Sequence, residues 1–282
     1  MAFALTVSRR PLPGVLLLGV TVLAGIVTLA VIGAWHTPFD PTAFAVRIRL
    51  MPPSWAHPFG TDEFGRDVLS RVLAGAHLSL MIGFGAMLIS LVVGVPLGMF
   101  AAFHRGVVEE VIMRSVDLLI SVPPILLGLL ILAVTPPNLF KTILAVGLVY
   151  IPILVRLSRA LGLALLQEDF VQAAFARGEG ASSILWHEIL PNAWPPIIVE
   201  CGLRITFAIL LGSALSFLGL GPQPPSSEWG LMIAESRTFL TQAPWVGLAP
   251  GVCLSVLLVS INLVGEGLRE YLDPHLSGRA HG

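Results

Sequence analysis

The sequence predicts an all-α protein that crosses a lipid bilayer about six times. Three observations carry that reading. Of the 282 residues, 55% are hydrophobic and only 12% are charged, against about 25% charged in an ordinary soluble domain. The charges are also clustered, leaving long stretches without Asp, Glu, Lys or Arg, each near the ~20 apolar residues that a membrane helix needs. Finally, the formal net charge is −1, which gives no attraction for nucleic acid and no polybasic anchor for a membrane surface. Two cysteines, Cys201 and Cys253, both fall in apolar runs, so neither a disulfide framework nor metal-type Cys/His spacing is indicated.

The spans follow in order from the gaps between charges. No charged residue separates Arg10 from Asp40, which places the first span at Gly14 to Ala34. It is too long for a signal-peptide core and no small-residue cleavage site follows, so it reads as a retained helix. The run between Arg71 and Arg105 gives a second span near Leu78 to Phe103. Its glycines Gly83, Gly85, Gly94 and Gly98 suit close helix packing. The third span lies between Asp117 and Lys141 and contains Pro123 and Pro124. The fourth runs from Lys141 to Leu161, with Arg156 and Arg159 long enough to reach the interface. A fifth is expected from Pro196 to Leu218 and a sixth from Val246 to Val264. Pro96, Pro123, Pro124 and Pro152 are the positions where kinks are expected.

Orientation comes from Lys and Arg. With the N-terminus inside, Arg9, Arg10, Arg105, Arg114, Arg156, Arg159, Arg177, Arg269 and Arg279 collect on the cytoplasmic side. Arg47, Arg49, Arg66, Arg71, Lys141 and Arg237 collect outside, and this bias favours cytoplasmic N- and C-termini. The chain then divides into residues 1–77 (first helix and extracytoplasmic segment), 78–272 (main transmembrane domain) and 273–282 (cytoplasmic tail). The loops from His36 to His77 and from Gly219 to Pro244 face outward.

One long segment, residues 168–192, is too polar for lipid. Glu168 and Asp169 lead a run of helix formers, Gln172, Ala173, Ala174 and Ala176, which is the order the helix dipole favours. Gly178 and Gly180 permit a sharp turn. A second short helix over Ala181 to Leu190 places Ile184, Leu185, Ile189 and Leu190 near one side, and Pro191 is expected to close it. The pattern suits a compact knob on the cytoplasmic face; it also suits an amphipathic loop lying on the membrane.

The residues from Asp169 through Ala174, then Gly178, then Ile189-Leu190-Pro191-Asn192, resemble the "EAA" loop of ABC-importer permease subunits. Three departures stand out: Gln172 occupies the place of the motif's Glu, Phe175 that of a common Arg, and His187-Glu188 that of Arg-His. "HPFGTDEFGRDVLSR" (57–71), "LSFLGLGPQPPSSEWGLMI" (215–233) and "LREYLDPH" (268–275) are similar to segments of the second permease subunit of dipeptide, oligopeptide and nickel importers. The resemblance implies the type I ABC importer permease fold in a bacterial inner membrane. It implies that Gln172, Ala173, Ala174, Gly178, Glu179, Gly180, Ala181, Leu190 and Pro191 form a coupling helix that docks on an ATPase. It further implies a homologous second permease, two cytoplasmic ATPases and an extracytoplasmic solute-binding protein, with dipeptides or oligopeptides as cargo. Nickel chelates, opines or another peptide-like solute would suit the same scaffold.

Charges inside spans call for a reason. Glu200 and Arg204 stand four apart, on one face of the fifth helix, where they can neutralise each other. They either line a translocation path or form a structural pair near the inner helix end, and the position favours the second. Asn262 and Glu266 are weighed the same way on the sixth helix. A phosphate-binding loop needs Gly-Lys-Ser/Thr, whereas the single lysine, Lys141, follows Phe140. No cofactor is therefore expected on this chain, with ATP and Mg on the partner ATPases, and no catalytic constellation stands out. The rival from another class is an autonomous transporter using Glu200 as a proton-linked carboxylate.

Overall fold

The computed structural model describes residues 12–272 except Thr135. The expected tail at 273–282, together with Arg9, Arg10 and Arg279, lies outside the described residues. Helix α1 spans Gly14–Trp35, α2 Val68–Phe103, α3 Val107–Ile120, α4 Pro124–Ala133 and α5 Leu139–Leu165. After these come α6 (Asp169–Ala176), α7 (Ala181–Ile184), α8 (Leu190–Phe217), α9 (Trp229–Ser236) and α10 (Trp245–Leu272). No strand occurs among the described residues, only an isolated bridge between Thr61 and Asp67. Five helices are long and apolar enough to cross a membrane, and the bent pair α3 and α4 makes a sixth if it crosses as one.

Helix α2 is the central post. At about 1.5 Å per residue its 36 residues make a rod of ~54 Å, well beyond a hydrocarbon core of ~30 Å. It begins at Val68, ten residues before the expected start of the second span. The reason is a cap: Asp67 accepts from the backbone N of Ser70 at 2.7 Å, so the helix starts in the polar loop and carries His77 with it. Gly94 and Gly98 lie against Leu154, Val155 and Ser158 of α5, so this pair serves packing, as expected. Ser90 Oγ lies 2.7 Å from the carbonyl of Gly147 across the same contact.

Two further spans differ from expectation. The charge-free third run is not one helix: α3 starts earlier, at Val107, and the chain turns by 91° before α4. Pro123 and Pro124 explain the break, because the residue before a proline is driven out of the helical region and Pro124 is pre-set for a first turn. Arg156 and Arg159 of α5 do not reach out alone. They pair with Asp117 and Glu109 of α3, tying the bent element to the bundle.

The second correction is at Pro191, which does not close a helix. From Ala181 the chain passes through a π-type turn, Leu185–Ile189, and runs on into α8, giving one continuous helix to Phe217. A proline ring clashes with the carbonyl four residues back in a regular α-helix. The wider π turn immediately before Pro191 makes room for it. Pro195 and Pro196 follow inside the same helix, so the fifth span begins well before the position expected from Pro196. The outer loop expected at 219–244 likewise contains a helix, α9, capped by Glu228, which accepts from the backbone N of Gly230 and Leu231 at 2.9 Å each.

Candidate functional site

The knob at 168–192 is built on a cap. Helix α6 ends at Ala176 with Arg177 as its C-cap, and Gly178 follows with φ 82°, a left-handed conformation that costs side-chain-bearing residues energy. Two bonds complete the turn: Glu179 N donates to the Ala174 carbonyl at 3.2 Å, and Gly178 N to that of Phe175 at 2.9 Å. This is a Schellman motif, and the same pair of bonds around Gly219 ends α8. Arg177 then bridges the two arms, 2.6 Å from Glu179 and 3.5 Å from Glu188.

The knob is not a loop lying loosely on a surface. Val171, Ala174, Ile184 and Ile189 are fully buried, in one apolar cluster with Met99 of α2, Leu154 of α5 and Ile197 of α8. The opposite side is presented outward: Gln172, Ala173, Gly178, Gly180 and Ala181 are exposed, as are Phe175 and, most of all, Trp186 at 62%. Of the residues singled out in sequence, Ala174 is therefore an anchor, Leu190 is half-buried and Pro191 is exposed at the start of α8. Gln172 has a local role its position in the motif did not suggest. Its Nε2 donates to the Leu166 carbonyl at 2.7 Å, one of the orphan acceptors at the end of α5. A glutamate there would be acceptor-only when ionised.

Glu200 and Arg204 are paired as expected, with Arg204 Nε 2.6 Å from Glu200 Oε1 and both side chains partly exposed. They open onto different hollows. Glu200 lines a cavity of about 570 Å³ with Asn192, Pro195 and Arg269, between α8 and the end of α10. Arg204 lines a second, of about 390 Å³, with Arg156 and Ile120. Leu157 borders both, so the ion pair sits on the ridge between them. Residues 204 to 217 cover ~20 Å at 1.5 Å each, so Arg204 lies ~20 Å along α8 from its Phe217 end. Asn262 accepts from Thr206 Oγ1 at 3.2 Å, a tie between α8 and α10.

Sequence reasoning missed a charge network at the end opposite the knob. Asp62 is fully buried and accepts from Arg66 Nε at 2.6 Å and from Arg71 at 2.7 Å, as well as from the backbone N of Phe64 and Arg66. Arg71 reaches on to Glu235 of α9 at 2.8 Å. Nearby, His57 Nδ1 lies 2.9 Å from Asp67. Buried ions are tolerated only when paired and hydrogen-bonded, and here they lock residues 57–71 to α2 and α9. Burial, then the neighbouring Asp62 and Glu235 carboxylates, push the Glu63 carboxyl above its ordinary range. The available signal was a cluster of five charges in residues 62–71 beside a span; its partner, Glu235, is 164 residues away from Arg71.

With this geometry in place, three comparisons bear on it. The profile of the family described as "Binding-protein-dependent transport system inner membrane component" matches residues 94–278. The chain is 41% identical over 261 residues to the di/tripeptide transport system permease protein DppC of Pseudomonas aeruginosa, covering 90% of this chain and 86% of that one. It is 39% identical over 252 residues to the probable D,D-dipeptide transport system permease protein DdpC of Escherichia coli, covering 89% and 84%. It is 36% identical over 263 residues to the glutathione transport system permease protein GsiD of Pectobacterium atrosepticum, covering 91% and 87%. In three dimensions it matches a chain from the MetNI methionine ABC transporter in an inward-facing conformation. The TM-score is 0.59 at 17% identity, over 72% of this chain and 96% of that one. That likeness establishes the shared fold.

Proposed function

The chain belongs to the family of inner membrane components of binding-protein-dependent transport systems, and from that premise we propose that it is one permease subunit of an ATP-driven importer of dipeptides or oligopeptides. It would work with a second, homologous permease, two cytoplasmic ATPases and an extracytoplasmic binding protein, with the knob and both termini in the cytoplasm. ATP hydrolysis would belong to the partner subunits. Nickel chelates, opines or other peptide-like solutes would suit the same architecture.

The observation that carries this reading is the continuity of the helix from Ala181 in the knob to Phe217 at the far end. Its 37 residues span ~55 Å. One end is fused to the exposed aromatic face of the knob. At the other, a Cβ on Gly230 of α9 would sit 2.6 Å from the carbonyl of Ser213, so α9 rests directly on α8. Movement of the knob by an ATPase is thus transmitted as rigid-body motion through a dry contact at Val171, Ala174, Ile184 and Ile189. Residues Gln172, Ala173, Phe175 and Trp186 present the docking face.

The Glu200–Arg204 pair is assigned to the inner mouth of the path. Partial exposure on a ridge between two hollows supports that role over a purely structural pair, since both ions can meet the charged ends of a passing peptide. The test is uptake of a labelled dipeptide into proteoliposomes holding the assembled complex. Accumulation should require the binding protein and ATP on the knob side. Glu200→Gln should lower uptake without lowering the amount of assembled complex. Uptake driven by a proton gradient without ATPases would overturn the assignment in favour of a secondary transporter.

A further inference from the structure

Helix α1 meets the bundle most closely near its two ends, and between them Leu23, Ile26 and Ala30 pack into the core on one side only. Near the knob end, a Cβ on Gly267 of α10 would lie 2.6 Å from Leu16, and one on Gly19 would lie 2.7 Å from Val264 N. Near the other end, Gly33 meets the backbone of Leu73 just as closely. Between these contacts lies a cavity of about 270 Å³, bordered by Ile26 and Leu29 of α1, Leu73 and Ala76 of α2, Cys253 and Val256 of α10, with Phe59 of the outer loop among its other walls.

Four properties identify what fills it. Its walls offer no free polar group apart from the thiol of Cys253: the indole N–H of Trp229 is already spent on the Val72 carbonyl at 2.9 Å. Water needs two to four polar partners to be held in such a place, so the cavity excludes water. Leu29, Val252 and Val256 border it and are also among the outward-facing apolar residues, so it opens sideways toward hydrocarbon. Its depth is defined: Leu29 and Ile26 lie ~9 and ~13 Å below Trp35, and Val252 and Val256 ~10 and ~16 Å below Trp245, at 1.5 Å per residue. That range runs from one half of a ~30 Å core to about its midplane. Lastly, a void of this size between close-packed helices forfeits dispersion contacts on every wall, and α1 has no side chain that fills it.

We propose that this cavity is a binding site for one acyl chain of a phospholipid from the leaflet opposite the knob, which completes the packing of α1 against α2 and α10. The occupant is a lipid held in place, exchanging more slowly than the lipid that coats the rest of α1.

The full chain is reconstituted in phosphatidylethanolamine–phosphatidylglycerol vesicles containing a trace of phosphatidylethanolamine with a diazirine on its acyl chain. After irradiation, adducts are mapped by mass spectrometry. Labelling at Leu29 and Val256 should exceed several-fold that at Leu18 and Val31, which are at least as exposed on α1 (58% each) but lie outside the cavity. Val256→Phe and, independently, Cys253→Phe should fill the space and abolish the excess while leaving the chain as stable or more so. Uniform labelling of all four positions in the unaltered protein would overturn the proposal without recourse to any variant. So would an excess that survives both substitutions, or one that vanishes in the assembled transporter because a partner's side chains occupy the cavity.

Discussion

Replacing Gly178 separates a backbone requirement from a contact requirement, because a Cβ at this position would meet nothing within 4 Å while φ stands at 82°. The substitution therefore acts only through the left-handed backbone. An L residue there costs about 1–2 kcal/mol, less for asparagine, which visits this region more readily. At about 1.4 kcal/mol per factor of ten, alanine should reduce the population of the closed Schellman turn roughly five- to thirtyfold. Valine adds a β-branched side chain and should do worse, abolishing uptake while the protein remains in the membrane. Two readouts are needed. Hydrogen exchange at the Glu179 amide, which donates to Ala174, should accelerate in the order Gly, Asn, Ala, Val. Peptide uptake per ATP hydrolysed should fall in the same order at constant protein level. Wild-type uptake by Gly178→Val at normal expression would refute the role of this turn. So would a loss of uptake fully accounted for by loss of the protein.

Two further outcomes follow from the buried charges opposite the knob. Asp62→Ala leaves Arg66 and Arg71 without their shared carboxylate, and removing one member of a buried ion cluster costs about 3–5 kcal/mol; the melting temperature and the yield of folded protein in detergent should both drop sharply. Glu63 has a folded pKa raised above its ordinary value, chiefly by burial, so the native state holds this proton more tightly than the unfolded one. Its contribution to stability is thus fully present in acid below the ordinary carboxylate range and is lost as pH rises through the raised value. Glu63→Gln mimics the protonated form, so the variant's melting temperature should pull ahead of the parent's as pH rises, and a gap that does not change with pH would rule this out.

Much of the fold was legible in sequence because charges and apolar runs are segregated by the membrane itself. The spans ending at Trp35, Phe103 and Phe217, and the one beginning at Trp245, are placed near their expected limits for that reason. Where expectation missed, a local rule was overridden. The run from Asp117 to Lys141 carries no charge to mark its 91° bend, and only Pro123 and Pro124 hint at it. Pro191 reads as a stop signal, yet the π turn before it lets the helix continue. In the knob, the resemblance singled out Gln172, Ala173, Ala174 and Gly178 together, but that Ala174 faces inward with Val171, Ile184 and Ile189 while Gln172 and Ala173 stay exposed is decided only once α2, α5 and α8 surround them. The Asp62–Arg66–Arg71–Glu235 network was invisible as a network because Glu235 joins the other three only through α9, 164 residues from Arg71.

The claim on which the rest depends is that the outward face of residues 168–192 is where an ATPase attaches. A photoreactive benzoylphenylalanine in place of Phe175, 42% exposed, tests it in membranes that contain the assembled transporter, with the same substitution at lipid-facing Val31 as reference. The account predicts adducts of position 175 with an ATPase subunit and adducts of position 31 with lipid. If position 175 also yields only lipid adducts, the knob lies on the membrane and the coupling role assigned to it is contradicted.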